Sequence, residues 1–441
     1  MKRQALSRRN FLRAAAGSAL IAAPGMASAP RAIAAEGGVL GANDRLRFAI
    51  IGVGGDACGR GTDHLVHLTQ LSKDPKWNVR VDLVCDIYER HLERAARLAN
   101  LARTDTKCEG VKEWEKVAER KDIDCVVIAT PDHWHAPMAI GCMKAGKDVY
   151  LEKPMTLTIP EARDVYRATL AEKRILQVGV QCTANGNTWG ARELVQKGAL
   201  GKIVWSQTGY PRNGLEGEWN YPIHPDATPA NILWDRFIGS ATRREFSGER
   251  FFRWRKYWDY SGGIATDLYY HRLAPLHIIF GPEFPKRAVA AGGIYVQDDG
   301  REVPDTLMIT LEYPSGHYVI LSSSMANDVG LPCIVRGHEA TLFFGEGQDV
   351  EFDGAAKIRV QGPFRKEFRK AHGGETIDVE PKPRAEHMEN FIQCVRSRRT
   401  EDLNCDARLG YQTMVGIKMG VDAYRKRKTI EWDLEREEEI G

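Results

Sequence analysis

The sequence predicts an α/β fold organised in two domains. Three observations predict it. From Leu46 onward, apolar runs alternate with amphipathic, helix-like stretches. The first of those runs stops at a cluster of glycines. The chain is 441 residues long, and a single hydrophobic core rarely serves more than about 300.

The first element lies outside the expected fold. Residues 7–13 read SRRNFLR, with Arg8 and Arg9 ahead of Phe11 and Leu12. A short apolar stretch, Ala14 to Ala23, ends at Pro24 and is too short to span a bilayer. Ala32-Ile33-Ala34 offers a small-residue cleavage site; Ala27-Ser28-Ala29 is followed by Pro30, which disfavours cutting there. The pattern resembles a twin-arginine leader, so residues 1–34 are expected to be a signal peptide. The mature protein is then expected in the periplasm, or otherwise exported, through the twin-arginine machinery. No other stretch reaches the roughly 18 apolar residues of a membrane helix, so no membrane anchor is expected. The leader holds six bases and no acid, and its removal leaves a mildly acidic chain. That argues against a nucleic-acid partner. Nine cysteines are scattered without CxxC pairs, so no disulfide framework is expected.

Residues 44–155 read as the first domain. LRFAIIG (46–52), VRVDLVCD (79–86), DCVVIAT (124–130) and KDVYLEKP (147–154) are strand-like runs. YERHLERAARLANLA (88–102) and HAPMAIGCMKAG (135–146) are helix-like. Buried strands alternating with helices imply right-handed βαβ units and a parallel, doubly wound sheet. The first run leads into Gly52-Val53-Gly54-Gly55-Asp56-Ala57, a GxGxxA pattern between strand and helix. Glycines there permit a tight turn and let the backbone approach a pyrophosphate at the helix N-terminus. The domain therefore reads as a dinucleotide-binding Rossmann domain. Asp86 closes the second run, where its carboxylate would accept bonds from ribose hydroxyls. That favours NAD, with NADP as the alternative. The loop continues as Cys58-Gly59-Arg60-Gly61, which permits a longer register and sets Arg60 near the phosphates.

Three later stretches are more specific: ATPDHWH (129–135), LEKPMTLT (151–158) and SGGIATDLYYH (261–271). Together they resemble the Gfo/Idh/MocA oxidoreductases, the family of glucose–fructose oxidoreductase and inositol dehydrogenase. The family's Glu-Lys-Pro matches Glu152-Lys153-Pro154, and its Gly-Gly-x-x-x-Asp-x-x-x-His matches Gly262-Gly263, Asp267 and His271. The resemblance extends to NFIQCVRSRR (390–399) and RKRKTIEWD (425–433), and is greatest to the exported members. It implies a C-terminal α/β domain, residues 156–441, with a large, open, mostly antiparallel sheet. The terminal helices would pack back on the Rossmann domain. Runs at 202–210, 285–297, 304–313, 317–325 and 330–337 alternate as strands do, and YPSG (313–316) is a hairpin turn. The exposed sheet face implies a homo-oligomer, a dimer or tetramer.

Asp267 and His271 are four apart and share a helix face. Lys153 would reach them from the carboxyl end of the parallel sheet, where open α/β folds bind ligands. Oxidising a secondary alcohol needs a hydride acceptor and a base for the hydroxyl proton. The resemblance gives the base to His271, substrate binding and imidazole orientation to Asp267, and stabilisation of alkoxide character to Lys153. It also implies that the bond before Pro154 is cis. Expected cofactor contacts are Gly52, Gly54, Gly55, Ala57, Asp86, Thr130, Pro131, His135, Glu152, Lys153 and Gln181. Asp132, His133 and His135 lack further partners at ligand spacing, so no metal is expected. Trp254, Trp258, Tyr260 and Tyr270 are candidates to stack on a sugar, or else form a buried aromatic cluster.

An exported enzyme has no cytoplasmic NAD pool to draw on. The expectation is thus a nicotinamide-dependent oxidoreductase that keeps its cofactor bound and acts on a secondary alcohol or carbonyl of a sugar, polyol or derivative. The alternative is a glycosidase, lyase or epimerase that oxidises its sugar transiently. NAD-dependent glycosidases of this kind usually lack the lysine retained here as Lys153. A third reading is a sugar-binding protein without catalysis.

Overall fold

A computed structural model describes residues 44–55, 59–101, 107–345, 352 and 354–440. The twin-arginine stretch, its cleavage sites and Ala57 lie outside the described residues.

The first sheet has six parallel strands: β1 (Leu46–Ile51), β2 (Val79–Cys85), β3 (Glu109–Val111), β4 (Cys125–Ile128), β5 (Asp148–Glu152) and β6 (Leu176–Gly179). Their order is β3-β2-β1-β4-β5-β6, the doubly wound arrangement. β1, β4, β5 and β6 consist almost wholly of buried residues because helices cover both faces. The helices are α1 (Arg60–Leu71), α2 (Glu89–Leu101), α3 (Trp114–Glu119), α4 (His135–Lys144) and α5 (Ile159–Glu172). The sheet continues beyond residue 155, because β6 pairs with β5 from Val149↔Leu176 to Glu152↔Gly179. α5, which leads to β6, starts at a capping box: Thr158 accepts from the Glu161 amide while Glu161 reaches back to the Thr158 amide. Two short elements, β3 and α3, carry too few apolar residues to be read from the sequence.

After α6 (Gly186–Gln196) the chain builds the second sheet. Its members are β7 (Ile203–Thr208), β9 (Arg287–Gly293), β10 (Thr306–Glu312), β11 (Tyr318–Ser324), β13 (Ile334–Gly337), β14 (Ala340–Phe344), β15 (Ala356–Val360), β16 (Thr376–Asp378), β17 (Ile430–Asp433) and β18 (Glu438–Ile440). β8 (Arg212–Asn213) and β12 (Ala326–Asn327) form a separate ribbon. The ten strands run in the order β16-β15-β14-β13-β7-β11-β10-β9-β17-β18. Neighbours are antiparallel except β7 and β11. The Tyr313–Gly316 turn joins β10 to β11 with Gly316 at φ +82, a conformation that favours glycine. One face is covered by helices and the other carries exposed Val204, Val289, Met308 and Tyr318.

Three helices bind the halves together: α7 (Tyr270–Phe280), α8 (His387–Ser397) and α9 (Ala407–Lys426). α9 packs on α5, α7 and β9. Its Gly416 and Gly420 face Leu273 and Ile309 at distances that leave no room for a Cβ, so the helix lies close against its neighbours. α8 returns to the first sheet, where Phe391 meets the rings of Phe48 and Tyr150. Arg398, just after α8, clamps Asp148 with two hydrogen bonds of 2.6 and 3.1 Å.

The glycine turn follows the longer register. α1 begins at Arg60, capped by Gly59, and not directly after Gly55. A Cβ on Gly61 would stand 1.8 Å from the Gly52 carbonyl oxygen, and one on Gly59 1.8 Å from that of Gly54. Backbone cannot yield as a side-chain tip can. Gly61→Ala is expected to cost at least about 2 kcal/mol of stability and to weaken NAD binding, both readable by urea unfolding with and without NAD.

Candidate functional site

The carboxyl ends of β1, β4, β5 and β6 converge on one region. Lys153 follows β5 directly, and the Lys153–Pro154 bond is cis. Across from it, Ala265–Tyr269 forms a π-helical turn that runs into α7. The two glycines ahead of that turn are required by packing. A Cβ on Gly262 would meet Thr266 Cγ2 at 2.4 Å, and Gly263, at φ +63, lies against Val303.

The turn presents Asp267 to Lys153. Lys153 Nζ donates to Asp267 Oδ1 at 2.8 Å and to the Asp267 carbonyl at 2.7 Å. Arg255 Nε donates to the same Oδ1 at 3.2 Å, and Trp219 Nε1 to Oδ2 at 3.1 Å. Burial alone would raise the Asp267 pKa. Lys153 and Arg255 more than reverse this and hold the carboxyl well below the usual range. Asp267 is therefore a fixed carboxylate, a hydrogen-bond acceptor and not an acid.

His271 lies one turn further on and is half-buried. Burial and the nearby Lys153 push its pKa well below the ordinary value, against the pull of Asp267. Its imidazole is neutral near pH 7 and able to accept a proton. Tyr210 packs edge-on to the ring at 6.0 Å between centroids, and Cys182 Sγ donates to the His271 carbonyl at 3.0 Å. Lys153 and Asp267 are thus in direct contact, with His271 within reach of both charges.

Glu152 and Gln181 stand behind this group. The buried Glu152 carboxylate takes Gln181 Nε2 at 3.1 Å, Arg60 Nε at 3.2 Å, and lies 2.6 Å from His64 Nε2. Burial raises the Glu152 pKa, but the His64 bond and Arg60 outweigh it and hold it low. Arg60, at the start of α1, is paired with Glu152 at the end of β5 and with Asp63.

The glycine turn fits a dinucleotide. Gly52 and Gly55 have positive φ, and a Cβ on Gly54 would stand 2.9 Å from His91 Nδ1. Bare backbone therefore faces the space before α1. Asp86, at the end of β2, accepts from the Val53 amide and the Tyr88 amide, each at 2.9 Å. It holds the turn through these two backbone amides. Arg94 donates to the carbonyls of Val53 and Gly55 at 3.0 and 2.9 Å, a brace that no motif announces.

Other expected contacts are placed differently. His135 is buried, with Nδ1 2.7 Å from the Pro154 carbonyl and Nε2 2.9 Å from that of Thr130. It ties the Thr130–Pro131 turn after β4 to the turn after β5, and so shapes the site from behind. Thr130 itself packs against Gly52. Tyr260 and Tyr270 are fully buried and offer no face to a sugar. Tyr260 sits among His133 and Phe237, and Tyr270 donates its hydroxyl to the Gly410 carbonyl. Trp258 packs toward Tyr424 and under Arg425 on α9. Only Trp254, stacked with Arg255 at 4.2 Å, adjoins a residue that touches Asp267. His133 Nε2 lies 2.7 Å from the Phe237 carbonyl, and no cluster able to hold a metal exists among the described residues.

Sequence reasoning missed Arg255 and Trp219 as partners of Asp267. Arg255 lay within the basic aromatic stretch 250–263; Trp219 gave no signal, since it sits in a long irregular segment. Asp132, considered in the sequence only as a metal ligand, is buried and accepts from Thr266 Oγ1 at 3.3 Å, next to Asp267 in the chain.

The model of an oxidoreductase family with an NAD-binding Rossmann fold matches residues 46–180, and that of its C-terminal alpha/beta domain matches 236–432. The chain belongs to the Gfo/Idh/MocA oxidoreductase family. An alpha-N-acetylgalactosaminidase of Tannerella forsythia is 28% identical over 233 residues, 49% of this chain and 48% of that protein. The chain thus spans about half the length of the curated relatives it matches. An aldose-aldose oxidoreductase of Caulobacter crescentus, solved with glycerol, superposes with TM-score 0.63 at 18% identity, over 88% of this chain and 99% of that one. A levoglucosan dehydrogenase solved with NADH and levoglucosan does so with TM-score 0.63 at 17% identity, over 88% and 99%. The Gfo/Idh/MocA assignment makes the parallel sheet an NAD-binding domain, and NAD is the cofactor the glycine turn accepts.

The Asp132 carboxyl generates a pH prediction. Burial pushes its pKa up to about 7. Between its ordinary value and 7 the folded protein holds a proton that the unfolded chain has lost. Stability therefore falls as pH rises through that window. Asp132→Asn keeps the Thr266 bond and is expected to flatten that fall, measured by urea unfolding across the range.

Proposed function

We propose that this protein is an oxidoreductase that moves a hydride between NAD and a secondary alcohol or carbonyl of a sugar, polyol or sugar derivative. The observation that carries the reading is the meeting of Lys153, Asp267 and a neutral His271 at the carboxyl end of an NAD-binding sheet. When bound, NAD supplies the hydride acceptor. His271 takes the hydroxyl proton. Lys153, held by Asp267, donates to the substrate oxygen and favours alkoxide character there. Trp219 and Arg255 fix the Asp267 carboxylate so that Lys153 does not swing away. The exclusion of water by the buried shell strengthens each of these interactions.

The reading includes export. The leader at Arg8 and Arg9, twin-arginine in pattern, would carry the protein out folded around its cofactor, so NAD is retained through turnover. The exposed face of the second sheet, with Val204, Val289, Met308 and Tyr318, suits contact with a second copy, and a dimer or tetramer is part of the proposal.

The Tannerella forsythia relative favours a second reading. Oxidising a sugar carbon acidifies its neighbouring C–H, so a glycoside can be cleaved and the hydride then returned. The two readings differ in outcome. An oxidoreductase leaves reduced cofactor or a reduced second sugar; a glycosidase releases an alcohol with no net change in NAD.

The test begins by denaturing the purified protein and identifying the nicotinamide released, followed by a screen of sugars and glycosides for cofactor reduction or bond cleavage. Lys153→Ala and His271→Ala are each expected to lower turnover by about two to four decades while bound NAD is retained. Near-normal turnover in either variant removes the active-site assignment.

A further inference from the structure

The second half sends one segment back onto the carboxyl ends of the first sheet. It lies in the long stretch between β8 and α7, which consists mostly of turns and short helices. It is clipped to the first half at three places. The first is the end of β2. Leu233 N–H donates to the Ile87 carbonyl at 3.0 Å, Glu89 N–H donates to the Asn231 carbonyl at 3.1 Å, and Ile232 forms an antiparallel bridge with Tyr88. Arg90 adds a 3.1 Å bond to Asp226. The second is the start of α3, where Arg236 donates to Glu113 at 3.0 Å and to Glu115 at 2.8 Å. The third is the turn after β4. The Phe237 carbonyl takes Trp134 Nε1 at 3.0 Å and lies 2.7 Å from His133 Nε2.

These clips have a common geometry. β1 lies between β2 and β4 in the sheet. Neighbouring strands are about 4.8 Å apart, so the ends of β2 and β4 are separated by about 10 Å. Leu233 to Phe237 bridges that interval, from one side of the glycine turn to the other. A second line of contact reaches the turn itself. A Cβ on Gly54 would stand 2.9 Å from His91 Nδ1, and the His91 ring meets that of His224 at 5.6 Å between centroids. The segment is also stiff where it crosses. Trp234 stacks on Phe237 at 5.1 Å, and both join a small buried cluster with Tyr257 and Tyr260.

We propose that residues 224–237 are a strap that retains the dinucleotide, and that NAD leaves only after the strap parts from Ile87 and Trp134. This rests on the reading of the glycine turn as the site of an NAD kept through turnover. A dinucleotide held by the turn alone exchanges as fast as its own contacts break. Under a strap, release scales with the fraction of molecules in which the clips are open. The clips are a few hydrogen bonds and exposed ion pairs, so they open without disturbing either sheet.

The test uses the full chain loaded with NADH, whose release into excess NAD is followed by the fluorescence of the bound reduced nicotinamide. Leu233→Pro removes the N–H that the Ile87 carbonyl receives, and Leu233 already has a φ of −74°, close to the proline value. It is expected to speed release about five- to tenfold. Arg90→Ala combined with Arg236→Ala removes only exposed ion pairs and carries the test should Leu233→Pro not fold. It should speed release about two- to fivefold, with a smaller difference from the parent at high salt. Hydrogen exchange gives a readout independent of turnover: NAD should slow exchange at the amides from Ile232 to Phe237 relative to the stripped protein. Unchanged release in the folded variants, or exchange in that segment indifferent to NAD, overturns the strap and leaves the redox reading standing. Faster release from variants of a protein that binds NADH yet turns over no sugar supports the strap and removes the redox reading instead. A chain that takes up no NADH overturns both.

Discussion

The contact on which the site depends is the ion pair between Lys153 and Asp267. Lys153 belongs to the parallel sheet and Asp267 to the helical turn that opens the second half. A carboxylate taken out of water costs several kcal/mol unless it is paired and hydrogen-bonded. Asp267 meets that condition through three side chains drawn from three parts of the chain: Lys153, Trp219 and Arg255. The pair therefore does two things at once. It fixes the ammonium group at the carboxyl end of the parallel sheet, and it fastens that sheet to the turn that opens the second half. The glycines before Asp267 and the cis bond after Lys153 are features of the same junction.

Behind that pair, the architecture is layered by charge. The buried Glu152 and His64, joined by the part-exposed Arg60, link the end of β5 to the start of α1. His135 spans two strand ends through carbonyl contacts. Each group fixes the position of backbone at the strand ends. Family membership and the glycine turn agree on NAD, and the tight approach of Gly52, Gly59 and Gly61 explains why the loop tolerates so few side chains.

Much of this was legible in the chain. The period of apolar runs disclosed the parallel sheet, since strands buried on both faces are continuously hydrophobic. Lys153, Asp267 and His271 were singled out by the family resemblance of their motifs, and the structure sets Lys153 against Asp267. What stayed hidden has a common cause. Trp219, Arg255 and Arg94 act through contacts between segments distant in sequence, and no local pattern encodes such pairings. The glycine register was ambiguous for a different reason: five glycines between 52 and 61 support two alignments, and only the start of α1 at Arg60 decides between them. The aromatic stretch 250–263 divided along the line that composition cannot draw. Tyr260 was drawn into the core by Phe237 and His133, whereas Arg255 was drawn toward Asp267 by charge.

The first sheet is complete by residue 179, yet the face that carries Phe48 and Tyr150 is covered by Phe391, Ile392 and Val395 on α8. A ribosome that has delivered the whole Rossmann sheet has not yet delivered its lid of apolar side chains. Until more than two hundred further residues emerge, a hydrophobic surface stays open to water or to a chaperone. The two halves are separate in architecture, yet the core of the first is closed by a helix that the second half delivers.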